Sequence, residues 1–242
     1  MKRLLKYILG FFLSLKTALW SLGLLTVLLF AGALIMPGRA EFELLHSVPF
    51  FEWIQKQPAG ITWWLWGVIC ILIILAINTL FCSIESIIKK RNVTQWLLLI
   101  SPQIIHIGFL FMLLAHLLSG AGSSQGLARA VEGTMLTFSD NTIMKVREIN
   151  IDMDNRGYIT DWRVDVEYLS GGKPFKQDTI RPNSPSLLTG FNVNVKDLSP
   201  YPQEVILIQV NKEPGALWAL VGGILFMVGT ITLLILRIRM EK

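Results

Sequence analysis

Four long apolar stretches punctuate the chain, at residues 17–36, 62–82, 95–120 and 215–236. Each reaches roughly the 20 residues that carry a helix across a hydrocarbon layer of about 30 Å. Between the third and the fourth the period changes. Trp162, Val164, Val166 and Tyr168 alternate with Arg163, Asp165 and Glu167, and Phe191, Val193 and Val195 repeat the two-residue rhythm of a half-buried strand. Further strands are predicted over 134–139, 145–152, 174–180 and 204–211, set apart by turn sequences such as Asp154-Asn155-Arg156-Gly157, Ser170-Gly171-Gly172-Lys173 and Arg181-Pro182-Asn183-Ser184-Pro185. The pattern predicts a membrane protein with four transmembrane α-helices and a small extracytoplasmic β-rich domain, a sandwich or an open sheet. Its divisions are a lead-in over 1–16, three spans within 17–120, the β-domain over 121–213, and a fourth span with a tail over 214–242.

Composition agrees with the pattern: 52% of the 242 residues are hydrophobic and 16% charged, far too apolar for an ordinary soluble domain. The net charge of +5 changes the picture only through its location. Residues 121–213 hold ten Lys/Arg against twelve Asp/Glu, so the excess lies in the membrane parts. There it gathers at Lys2, Arg3, Lys6 and Lys16, at Lys89, Lys90 and Arg91, and at Arg237, Arg239 and Lys242. These are alternate ends of successive spans. The positive-inside rule then places both termini and the 83–94 loop in the cytoplasm, with the β-domain on the far side. Nothing in this distribution calls for nucleic acid.

Smaller features fill in the frame. Lys16 interrupts the N-terminal apolar run, so the first span reads as a retained anchor rather than a cleaved signal. Phe50, Phe51, Trp53 and Ile54 make the middle of the 37–61 segment apolar enough to lie on the membrane surface. Trp63, Trp64 and Trp66 read as an interfacial aromatic belt, with stacking on a planar ligand as the alternative. Asn78 and Thr79 read as helix-to-helix hydrogen bonding. Asn92-Val93-Thr94 matches a glycosylation sequon in a cytoplasmic position, where it has no meaning. The Gly/Ser-rich run at 120–126 reads as a flexible exit linker. Cys70 and Cys82 lie within one span, too far apart to bridge, and read as buried packing residues. Gly222, Gly223 and Gly229 offer a face for close helix packing. The β-domain holds no His and no Cys, so no nucleophile with an attendant base stands out in it, and Asp165 and Glu167 read as solvated strand positions.

The candidate chemistry lies in the third span. An imidazole in hydrocarbon is costly, so His106 is a functional-site hypothesis by default. Gln103 lies one turn before it on the same side of the helix. Pro102 frees a backbone carbonyl in the preceding turn, and Gly108 lets a helix or a flat ligand approach. The competing reading is a histidine that only bonds a neighbouring helix. His116 is ten positions on, about 15 Å along the axis, so the two imidazoles cannot share one metal; it reads as reaching interfacial water. His46 reads as a surface residue.

His106-Ile107-Gly108-Phe109, the LLAHLLSG that follows, Val131-Glu132-Gly133, the Glu213-Pro214-Gly215 opening of the last span, and the NTLFC close of the second resemble the ResB/CcsB family of System II cytochrome c biogenesis. So does the order of three spans, a polar domain and one more span. The resemblance implies a haem-handling subunit in a bacterial inner membrane that helps attach haem to the CxxCH of apocytochrome c. His106 would be an axial ligand to the iron of haem b held in transit, its ring oriented by Gln103 or by a backbone carbonyl freed at Pro102, with Gln103 and His116 as further cofactor-binding candidates. It implies as partners a multi-spanning CcsA/ResC-type protein carrying the other ligand and a tryptophan-rich segment, apocytochrome c, and a thioredoxin-like thiol reductant. The catalytic residues of attachment would lie on the partner. A scaffold that presents the β-domain without binding haem, and a small proton or ion transporter using His106, are the competing functions.

Overall fold

The computed structural model describes residues 2–90, 96–138, 140–188, 190–201 and 204–240. The sequon at Asn92 and residue Gln95 of the predicted third span lie outside them. Two compact units emerge: Met1–Gly122 with Pro214–Lys242, and Ser123–Glu213.

The first unit is helical: α1 (Lys2–Phe12), α2 (Leu15–Ile35), a 3-10 turn at Ala40–Phe42, α3 (Phe50–Lys56), α4 (Ala59–Lys90), α5 (Trp96–Gly122) and α6 (Ala216–Met240). Among the described residues α2, α4, α5 and α6 are each long and apolar enough to cross a membrane. The predicted 83–94 loop is instead helical as far as Lys90. A helix need not end where its side chains turn polar, and Glu85 and Lys89 pair one turn apart on its surface. The lead-in predicted over 1–16 contains helix α1. Asn78 of α4 secures its end by donating to the Phe12 carbonyl at 2.7 Å and to Ser14 at 3.3 Å, two carbonyls at a helix C-terminus.

Helices α2 and α4 pack through Gly32, where the Trp64 ring occupies the space a side chain would need, and through Gly67, which faces Leu28. Trp64 is therefore a bundle residue, 4% exposed, whereas Trp63 and Trp66 remain exposed as a belt requires. Trp53 and Ile54 are buried with Phe42 and Trp64, and Trp53 Nε1 donates to the Glu41 carbonyl at 3.0 Å. The 37–61 segment thus folds onto its own helices. Cys70, expected to be buried, is exposed.

Helices α5 and α6 meet through small residues. Gly215 lies against the Ala115 carbonyl, Gly222 against Gly108, and Gly229 against Ser101 and Ile105. Gly223 faces open space.

The second unit holds β1 (Ser124–Ala130), β2 (Met135–Thr137), β3 (Ile143–Met153), β4 (Ile159–Ser170), β5 (Lys173–Ile180), β6 (Ser186–Leu188), β7 (Phe191–Ser199) and β8 (Val205–Lys212). Two antiparallel sheets form, ordered β1-β8-β7-β6 and β2-β3-β4-β5. Met144, Val146, Val164, Val166, Tyr168 and Ile180 of one sheet bury against Val193, Ile206 and Ile208 of the other, which makes a sandwich of alternating inward positions. Residues 124–126, expected to be linker, are paired in β1 with Val210–Lys212 of β8.

Hydrogen bonds join the sheets along the β5/β6 edge. Tyr168 Oη donates to Ser186 Oγ at 2.8 Å, and Ser186 donates to Asp178 Oδ2 at 2.7 Å. Lys176 pairs with the same carboxylate at 2.9 Å. Burial pushes the Tyr168 phenol up to about 12. Burial also raises the Asp178 carboxyl, but hydrogen bonds from Ser186, Lys176 and the Thr179 N–H outweigh it and hold its pKa below the usual value. Glu167 is not the solvated residue its alternating position suggested: it is 8% exposed. Gln177 donates to it at 2.9 Å and Arg147 at 3.3 Å, and its pKa is lowered, first by the Gln177 hydrogen bond.

Candidate functional site

The sequence pointed to α5, and the local structure there follows from Pro102 and Gly108. Pro102 lies inside the helix, where it has no N–H to donate to the carbonyl four residues back. One residue earlier, the Ser101 hydroxyl donates to Leu97 at 2.6 Å. Gly108 is consumed by α6: a side chain there would meet the Phe226 nitrogen and the Gly222 carbonyl. Of the two occupants its absent side chain admits, the neighbouring helix is the one found. A residue two positions from Gly108 lies on nearly the opposite side of a 3.6-residue helix, which turns His106 away from α6 and toward α4.

On that side His106 Nδ1 is 2.7 Å from Ser83 Oγ. The sequence had offered Gln103, or a carbonyl freed near Pro102, to orient the ring; the partner is a hydroxyl on the neighbouring helix instead. Ser83 lies within α4 and His106 within α5, so the ring is held between two helices. The other nitrogen, Nε2, makes no hydrogen bond among the described residues, and the ring is half-buried. The pair therefore presents one ring nitrogen, oriented by the bond to the other, which is the usual arrangement of a histidine that ligates a metal.

Gln103, a turn earlier, is 6% exposed, and neither its amide nitrogen nor its amide oxygen has a partner among the described residues. A buried, wholly unsatisfied amide is rare in folded proteins and costs about 1–3 kcal/mol. His116 is not brought to the same place. Its Nδ1 donates to the Met112 carbonyl of its own helix at 2.8 Å, and it is exposed, as is His46.

A histidine with Nδ1 engaged and Nε2 without a partner among the described residues is compatible with one axial position of a haem. Among the described residues no group of three or more His, Cys, Asp or Glu could hold a metal ion. In the β-domain, Ser186 accepts from Tyr168 and donates to Asp178, which brings a hydroxyl next to a carboxylate; but Ser186 has no exposed surface. It ties the sheets together.

Sequence reasoning missed Ser83. The predicted second span stopped at Cys82, and residues beyond it were assigned to a loop. Which residue of α4 comes level with His106 depends on where α4 ends, and the predicted loop over 83–94 hid that end.

No protein-family profile matches this sequence, and no curated protein matches it. Among solved structures the chain is similar to a cytochrome c heme lyase, CcmF, with a TM-score of 0.45 and 16% identity, over 87% of this chain and 34% of that one. The chain thus spans about a third of that protein's length.

Proposed function

We propose that this chain is a haem-handling subunit of a membrane complex that matures c-type cytochromes, with His106 lending one axial ligand to haem iron as haem crosses the membrane. The observation that carries this reading is the His106–Ser83 pair: Nδ1 is engaged by a hydroxyl at 2.7 Å while Nε2 has no partner among the described residues. The sequence resemblance to the ResB/CcsB family supplies the cargo and the setting. Haem is the substrate here, and its iron accepts neutral imidazole as a ligand.

In this reading the residues of the chain bind and orient. Ser83 holds the ring, and Pro102 and Gly108 set the line of α5 against its neighbours. Gln103 offers an amide for a polar group of the bound molecule, and His116 is a further candidate contact. The second axial ligand and the thioether chemistry fall to a multi-spanning partner of CcsA/ResC type, with apocytochrome c as the client and a thioredoxin-like reductant keeping its cysteines reduced. A bacterial cytoplasmic membrane with both termini inside accords with the distribution of Lys and Arg.

A second reading has its own observation. Ser83 already satisfies one nitrogen of His106, so the pair also suffices as a fastening between α4 and α5, and the chain would then be a scaffold that presents its β-domain. Co-expression with the partner separates the two. Haem absorbance that His106→Ala diminishes, and that added imidazole restores, supports ligation. A spectrum and cytochrome yield indifferent to that substitution leave the scaffold.

A further inference from the structure

A neutral imidazole carries its proton on either nitrogen, and a serine hydroxyl both donates and accepts. The 2.7 Å contact between Ser83 Oγ and His106 Nδ1 is therefore satisfied in two ways. With the proton on Nε2, the hydroxyl donates to Nδ1; with the proton on Nδ1, the hydroxyl accepts. Coordination of a metal through Nε2 needs the lone pair at that atom and hence the second arrangement. Among the described residues Ser83 is the only side chain bonded to Nδ1.

We propose that Ser83 is the positioning residue for His106, selecting Nε2 as the ligand atom and moderating how strongly it donates. The inference rests on the haem-binding reading above and deepens it. A carboxylate in the place of Ser83 would fix the proton on Nδ1 and strengthen the imidazole as a donor. A neutral hydroxyl holds the ring in both tautomers and reinforces it less. That chemistry suits a ligand that must let its cargo go. Because the hydroxyl sits on α4 and the ring on α5, the setting also depends on the register of these two helices, which a serine on the same helix as the histidine would not require.

The test uses the full chain in lipid nanodiscs, titrated with haemin and followed by absorbance and by the midpoint potential of the bound haem. His106→Ala is expected to abolish saturable binding. Ser83→Ala is expected to weaken binding about tenfold, at the lower end of the usual loss for partners of metal-bound histidines. It should also raise the potential, because an imidazole whose N–H has lost its acceptor donates less to ferric iron. Ser83→Thr keeps the hydroxyl and should return both quantities to wild-type values. If His106→Ala abolishes binding while Ser83→Ala titrates like wild type, or if Ser83→Thr shifts affinity and potential as far as Ser83→Ala does, the role of Ser83 is refuted and haem ligation stands. If His106→Ala binds haemin as wild type does, ligation itself falls, and the role of Ser83 with it.

Discussion

The backbones of Gly108 and Gly222 touch: a methyl group added to either would lie 2.7 Å from the carbonyl oxygen of the other. Ser101 opposite Gly229 and Ala115 opposite Gly215 repeat this contact seven residues away in each direction. A strict seven-residue repeat on both of two antiparallel helices keeps a narrow seam in register. Lipid tails are as apolar as the side chains, so close backbone contact rather than hydrophobic burial holds such helices together. The seam turns His106 toward α4.

A single methyl group should therefore open the α5–α6 seam. Gly222→Ala places a Cβ within 3.0 Å of Gly108 and Met112 and is expected to destabilise the bundle by about 1–3 kcal/mol, the ordinary cost of overpacking. Gly223→Ala meets nothing within 4 Å and should leave stability unchanged or slightly raised. Unfolding of the full chain by denaturing detergent measures both. Equal midpoints for the two variants would refute the seam.

The Val131-Glu132-Gly133 segment, which contributed to the family resemblance, has a structural task. Glu132 Oε1 accepts the Ile149 N–H at 2.9 Å, beside the register shift between Val146 and Glu148. Thr134 Oγ1 accepts the Val131 N–H at 2.9 Å, and Gly133 adopts φ +83°. Glu132→Ala should cost about 1 kcal/mol and speed hydrogen exchange at Ile149, whereas Glu132→Gln, which keeps an acceptor, should retain most of the protection. Unchanged exchange in the alanine variant would show that the contact does not stabilise β3.

The Tyr168–Ser186–Asp178 chain gives the β-domain two pH limits. Asp178 is more acidic folded than free, so its contribution is present above the ordinary carboxylate range and is lost as pH falls through its folded pKa. Tyr168 is raised from 10.0 to about 12, so its contribution is present below pH 10 and is lost as pH rises toward 12. Thermal melting of the full chain, followed by strand circular dichroism, should show a plateau between these limits. Asp178→Asn is expected to flatten the acid limb and Tyr168→Phe the alkaline one. A limb that keeps its slope in its variant counts against that residue.

Periodicity made the architecture legible because burial on one face leaves a mark in every strand and every span. It failed where composition and structure part. Ser83–Lys90 looks like loop because it is polar, yet the helix continues and an i,i+4 pair supports it. Ser124–Gly126 looks like linker because it is small and polar, yet β8 offers it a pairing edge, and pairing needs only backbone. Trp63, Trp64 and Trp66 form one aromatic cluster in sequence, and only the helix packed against them, through Gly32, decides that Trp64 turns inward. Ser83 was out of reach for the same reason: which hydroxyl meets His106 depends on how two helices register, and the residues around either of them alone carry no record of it.

Gln103 sets stability against function. Its amide is buried with neither atom satisfied among the described residues, so replacing it with an apolar group of similar size removes a desolvation penalty of about 1–3 kcal/mol. Gln103→Leu should raise the unfolding midpoint of the empty chain. Were the amide only a packing residue, nothing further would follow. If it instead meets a polar group of bound haem one turn from His106, the same substitution should weaken haemin retention while the bundle becomes more stable, because the bound molecule loses the partner that the empty protein never had. Opposite shifts in the two measurements are the expected outcome. A rise in stability with unchanged haemin affinity would remove Gln103 from the site and leave His106 and Ser83 to form it.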